Sequence, residues 1–122
     1  EFINYTIDGN NYSISSTVAG DGFTGHAYDS AGVRGSYLNG YHMNGGEISF
    51  QFNDDRSEGD FDIERLYVPQ FFFVSPVQPF VITLTSYPDN QGQFYEGNFT
   101  GQFKDGANVL HTLTCTFRVH RD

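Results

Sequence analysis

Asp54, Asp55, Glu58, Asp60 and Asp62 put five carboxylates within nine residues, the densest grouping of reactive side chains in the chain. Calcium takes several carboxylate and carbonyl oxygens from a bent loop, so Asp54, Asp55, Glu58 and Asp60 are the candidate metal ligands, with Ca2+ the ion they suit. Asp8, Asn10 and Asn11 form a smaller set at a turn. Neither segment has the Asp-x-Asp-x-Asp-Gly spacing of an EF-hand loop. The plainer reading is solvated turns, because Asp and Asn are ordinary turn residues. His26, His42, His111 and His120 are scattered without the close spacing of zinc ligands, and His120, beside Arg121 at the terminus, is expected to be exposed. The single cysteine, Cys115, lies between threonines and reads as a small buried apolar residue rather than a nucleophile. No nucleophile elbow or phosphate-binding Gly-Lys-Ser/Thr motif is present. Paired carboxylates for glycoside hydrolysis would be met by chance in any acidic chain. A non-catalytic protein is therefore expected.

Two sets of residues suit binding better than catalysis. Tyr28, Tyr37 and Tyr41, with Tyr67 and Tyr87, could form a stacking platform for sugars, although the absence of Trp removes the largest stacking face. Thr112, Thr114 and Thr116 alternate along the last strand, with Asn98 and Thr100 on the strand before it and Thr83 and Thr85 on the one before that. Neighbouring strands would make these a hydroxyl-rich patch able to meet polysaccharide, ice or another subunit. The plainer reading of both sets is the ordinary preference of strands for Tyr and Thr. Asn4-Tyr5-Thr6, Asn11-Tyr12-Ser13 and Asn98-Phe99-Thr100 also match the N-glycosylation acceptor, a pattern often met by chance.

These side chains need strands to position them. Period-two alternation runs from Tyr95 to Phe103 and from Val109 to Arg121, on either side of Asp105-Gly106, which is a strong hairpin signal. Further strands are expected over 2–7, 12–18, 36–43, 47–53, 60–68 and 80–87, with a turn at Asn44-Gly45-Gly46 and a register slip near Leu66. Residues 19–35, rich in glycine, read as a loop or a short edge strand around 23–28. Pro69, Pro76 and Pro79 bracket Phe71-Phe72-Phe73-Val74, which reads as an edge or crossover lying on the core. No helical periodicity is evident. The expectation is all-β: one domain over residues 1–122, an antiparallel β-sandwich resembling a jelly roll, with about eight strands. Gly97 and Gly101 fall on the inward face of their strand and are expected to make room for large rings.

The chain has 122 residues and a net charge of −9. Such an acidic domain repels phosphate backbones, so nucleic acid is not an expected partner. No apolar run reaches membrane-spanning length, and no transmembrane segment is expected. The start at Glu1, without Met, suggests a processed product.

Tyr95, Gly97, Phe99, Thr100-Gly101, Asp105, Thr114, Thr116-Phe117, Val119 and Arg121 resemble a group of small secreted or lipid-anchored β-sandwich domains of unassigned function from Bacteroidetes. Asn39-Gly40-Tyr41, Ile48-Ser49-Phe50 and Tyr12-Ser13 are looser matches. Cys115 stands where such sequences usually carry glycine. The resemblance implies an extracellular or outer-surface location and transfers no catalytic residue. Asp29-Ser30-Ala31 is similar to the short O-glycosylation signal of envelope proteins from these bacteria, which makes Ser30 a candidate glycosylation site. The functional expectation is a structural surface protein, a filament or matrix subunit that forms homo-oligomers or polymers through its sheet edges, by residues 2–7 or 71–74. The alternative is a carbohydrate- or ligand-binding module.

Overall fold

The computed structural model describes residues 1–43 and 46–122; the expected turn residues Asn44 and Gly45 lie outside them. The described chain is all-β, with β1 (Phe2–Ile7), β2 (Asn10–Ser15), β3 (Gly22–Ser30), β4 (Val33–Tyr41), β5 (Glu47–Asn53), β6 (Gly59–Tyr67), β7 (Ser75–Pro76), β8 (Val81–Ser86), β9 (Phe94–Lys104) and β10 (Leu110–His120). Every pairing is antiparallel. The order is β2-β1-β10-β9-β8-β6-β5-β4-β3, with β7 added beside β9.

This is one continuous sheet curled into a half-barrel. Nearly every strand pairs with its neighbour in sequence, an up-and-down path. The all-β expectation holds. The count is ten strands rather than eight, and this order does not confirm a two-sheet sandwich or the Greek-key crossings of a jelly roll. The curl is made at β6. Its first half, Gly59 to Asp62, pairs with β8, while Ile63 to Tyr67 pairs with β5. The register shifts between Gln51 and Phe52, which face Arg65 and Ile63, so Glu64 is the extra residue of a bulge. A bulge bends and twists its strand, which lets the ladder turn the corner.

Alternation fills the inside of the curl. Ile3, Tyr5, Ile7, Leu38, Ile48, Phe50, Phe52, Ile82, Tyr95, Phe99, Phe103, Leu113, Cys115, Phe117 and Val119 are all buried. Phe50 packs on Phe99 and Phe117 with ring centroids 5.0 and 5.2 Å apart, so the β3–β6 half is joined to the β8–β10 half by aromatic contacts. Gly101 lies under Phe80 and Gly97 against the Phe117 ring and the β8 backbone, the room for rings that their inward position implied.

Three local expectations change. Of the two readings of the glycine-rich segment the edge strand holds, but it is longer than 23–28, nine residues as β3. Strand β1 is interior, paired with both β2 and β10, so its backbone groups are already used and residues 2–7 cannot extend another sheet. In the 71–74 segment Phe71 packs inward, on Phe103 and His111, and Val74 also rests on the core, whereas Phe72 is 90% and Phe73 69% exposed. Among the described residues no helix is long and apolar enough to cross a membrane.

Candidate functional site

The β1–β10 and β10–β9 registers assemble a grid on the outer face of four consecutive strands. Ser13, Asn4, Thr116 and Asn98 are cross-strand partners in one row. Asn11, Thr6, Thr114 and Thr100 form the next row in the same strand order. Side chains two residues apart on a strand share a face. For that reason all three Asn-x-Ser/Thr triplets, on β1, β2 and β9, flank Thr114 and Thr116. The grid lines a groove of about 560 Å³. No lining residue is charged, in a chain with 21 charged side chains.

Two hydrogen bonds order the grid. Ser13 Oγ donates to Asn4 Oδ1 over 2.7 Å, and the Thr6 and Thr114 hydroxyls bond to each other. Asn11, Asn98, Thr100 and Thr116 are exposed and present amides and hydroxyls to solvent. Tyr5, under the grid, is buried, with its ring stacked on Tyr12 at 5.1 Å and its hydroxyl accepting from Gln70. Burial pushes its phenol pKa up, so it stays neutral. The ion pair between Arg118 and Glu96, 3.0 Å long, lies one row beyond the grid. Such a surface can offer several neutral hydrogen bonds at fixed spacing. Its lining includes no His, Asp or Glu beside these hydroxyls.

Thr114 and Thr116 are thus brought together as expected, and Asn98 and Thr100 with them. Thr112 is outside the groove lining; its N–H donates to Asp8 Oδ1 at the adjacent turn. Thr83 and Thr85 are engaged with Asp60 and the Glu96 carbonyl. Asn4, Thr6, Asn11 and Ser13 were not foreseen as part of this patch, because alternation alone does not say that β1 and β2 add beside β10. The repeated Asn-x-Ser/Thr spacing was the signal that could have found them.

The acidic residues do not converge. Asp54 is buried, accepting from Ser36 Oγ at 2.6 Å and from the Arg56 N–H at 3.0 Å. Asp55 accepts from Ser57, Asp60 from Thr83, and Glu58 is exposed. Among the described residues no three His, Cys, Asp or Glu side chains are grouped to hold a metal ion. Arg56 anchors this loop, donating to Tyr87 Oη at 3.0 Å and to the Tyr28 carbonyl at 2.7 Å. The bond to Tyr87 raises the guanidinium pKa. Tyr28, Tyr37 and Tyr41 are on the outer face of β3 and β4, remote from the groove strands in the sheet order. Ser30 is exposed at the end of β3, beside the Ala31-Gly32 turn.

The histidines hold elements together. His111 presents Nδ1 to Asp8 at 2.7 Å and Nε2 to Asp105 at 2.8 Å, joining the β1–β2 and β9–β10 turns. His120 does the same with Glu1 at 2.5 Å and Asp122 at 2.6 Å, so it is tied to both chain ends rather than simply exposed. A ring with both nitrogens facing carboxylates is held as the imidazolium, with both N–H groups donating. The bonds to Asp105 and then Asp8 raise the His111 pKa, and the bond to Glu1 chiefly raises that of His120. The imidazole bond lowers Asp8 and Asp105 in turn. Burial works against ionised Glu1, but the His120 N–H and ring outweigh it and hold Glu1 low. His42 pairs with Asp21 at 2.7 Å. Cys115 is fully buried, and that burial pushes its thiol well above the ordinary range.

Comparison with known proteins gives no match to any family model, curated protein or solved structure.

Proposed function

We propose that the protein is a non-catalytic, extracellular or cell-surface polysaccharide-binding domain that recognises its ligand in the outer groove of β2, β1, β10 and β9. One observation carries this reading: the grid of eight Asn, Thr and Ser side chains, without a charge, on a domain of net charge −9. A neutral polysaccharide presents alternating hydroxyl donors and acceptors along an extended chain. Amides and hydroxyls can pair with both kinds, and a charge-free groove does not select for an ionic ligand. The concavity suits a chain better than the flat face of an ice crystal.

The location rests on the resemblance of the 95–121 hairpin to secreted or lipid-anchored domains of Bacteroidetes. The absence of a catalytic role is consistent with the state of the reactive groups: two histidines are clamped on both nitrogens and the thiol is buried. Glycosylation at Ser30 remains a secondary proposal, answered by intact mass.

The test is binding to soluble neutral polysaccharides (xyloglucan, galactomannan and laminarin) by affinity electrophoresis. Wild type should be retarded by at least one of them. Thr100→Lys with Thr116→Lys, both at exposed positions, should abolish retardation at the groove. Equal retardation of the variant would refute the assignment.

A second reading, a self-associating filament or matrix subunit, is favoured by the exposure of Phe72 and Phe73 next to each other and by the two free edge strands, β2 and β3. Both edges are partly protected. The Ser15 N–H on β2 donates to Asp21, and the Gly25 carbonyl on β3 accepts from the Asp122 N–H. Sedimentation at high concentration decides this reading, which predicts oligomers that Phe72→Ser with Phe73→Ser dissolves.

A further inference from the structure

The other half of the curled sheet carries a different outer surface. Across β3–β6 the register places His26, Tyr37, Gln51 and Arg65 in one row and Thr24, Asn39, Ser49 and Tyr67 in the next. A depression of about 280 Å³ is lined by Tyr37, Ser49, Gln51, Arg65 and Tyr67, with Phe50 and Leu66 beneath. The rings on either side lie down on the sheet. A Cβ at Gly35 would fall 2.2 Å from Tyr28 Oη, and one at Gly22 would fall 2.3 Å from Tyr41 Cζ, so each tyrosine covers the glycine paired with it across the strands.

Asn39 holds the Tyr37 ring in place beside this depression. It is 8% exposed. Its Nδ2 donates to Tyr37 Oη at 3.0 Å and to Glu47 Oε2 at 3.1 Å, which uses both amide hydrogens. Its Oδ1 is buried without a hydrogen-bond partner, the one such side-chain atom among the described residues.

We propose that the outer face of β3–β6 is a second saccharide-binding surface, on which Tyr37 and Tyr67 flank a sugar ring, with Gln51 and Arg65 as hydrogen-bonding groups. This inference rests on the polysaccharide reading of the groove for its ligand class. The inner faces of the two halves pack on each other through Phe50, Phe99 and Phe117, so the two outer faces point away from one another. One domain would then hold two polysaccharide chains and cross-link them, and linked sites raise overall binding well above that of either site.

The experiment uses the full chain and the same three polysaccharides, with two readouts: retardation for binding, and light scattering of the mixture for cross-linking. Tyr37→Ala with Tyr67→Ala disables the second face; Tyr67→Ala alone, at an exposed position, guards against misfolding, checked by urea unfolding. The Tyr variants should keep groove binding, weaken total binding about tenfold through lost stacking and avidity, and no longer raise scattering. The groove variant Thr100→Lys/Thr116→Lys should also bind without cross-linking, and the combined variant should not bind. Scattering and binding by the Tyr variants equal to wild type would overturn the second site while leaving the groove intact. Loss of all binding in the Tyr variants with none in the groove variant would overturn the groove instead. A wild type that binds but never cross-links would overturn bridging, and one that binds none of the three would overturn both.

Discussion

Replacing Gly25 by alanine probes how the curled sheet is closed. Gly25, on edge strand β3, approaches the end of β10 so closely that an added Cβ would fall 2.0 Å from the His120 carbonyl oxygen and 3.3 Å from the Tyr95 ring. A carbon and a carbonyl oxygen tolerate roughly 3.3 Å, so β3 and the end of β10 must separate by about 1.3 Å. The atom in the way is backbone, which cannot rotate aside. The separation also stretches the bond from the Asp122 N–H to the Gly25 carbonyl, now 2.8 Å, beyond hydrogen-bonding range. Overpacking costs about 1–3 kcal/mol and the lost bond about 0.5–1.5 kcal/mol, so Gly25→Ala should destabilise by about 1.5–4.5 kcal/mol. Urea unfolding followed by tyrosine fluorescence measures this. Gly106→Ala is the control: its Cβ would meet only the Phe73 side chain and backbone at 3.4 Å or more, and it should change stability by less than about 0.5 kcal/mol. If Gly25→Ala behaves like the control, β3 is not held against β10 and the closure described here is wrong.

Three further outcomes follow from the packing and the charges. Phe117→Ala removes the ring that packs against both Phe50 and Phe99 and should cost about 3–5 kcal/mol in the same assay; less than about 1 kcal/mol would mean that this ring is not central to the core. Stability should be greatest between about pH 4 and 6.5. The raised His111 and His120 contribute fully below the unfolded histidine value of about 6.5 and lose their contribution as pH rises through their folded values. The lowered Asp8, Asp105 and Glu1 lose theirs as pH falls through their own folded values. The Tm should therefore be higher at pH 5.5 than at pH 8.5, and His111→Gln with His120→Gln should flatten that difference; an unchanged difference would contradict the double clamps. Cys115 should resist a thiol reagent in the native protein and react on unfolding in urea, and rapid native labelling would show that β10 is not packed as described.

The β9–β10 hairpin was legible because alternation, paired lengths and an Asp-Gly turn all agree there. The bulge was legible because the apolar spacing changes between Ile63 and Leu66. Strand β3 was legible only as a short edge strand around 23–28, with a loop as the other reading, because glycine lowers strand propensity wherever it occurs, and here Gly22 and Gly25, with Gly35 on β4, are present to admit Tyr41, the His120 backbone and Tyr28. Those neighbours are distant in sequence or across a hairpin, so composition cannot reveal them. The path of the sheet was hidden for a similar reason. Pairing β1 with β10 joins the two ends of the chain, and no local pattern encodes it. That one pairing completes the groove, by laying Asn4 and Thr6 beside Thr116 and Thr114. The carboxylate clamps on His111 and His120 likewise depend on turns brought together from opposite ends of the sequence.

Polysaccharide recognition by the groove is tested most directly by titrating isotopically labelled protein with a xyloglucan, galactomannan or laminarin oligosaccharide and following the backbone amides by NMR. Saturable shifts at Asn4, Thr6, Asn98, Thr100, Thr114 and Thr116 are the predicted result. Saturation that leaves those six amides unmoved, or no shift with any of the three sugars, would contradict it.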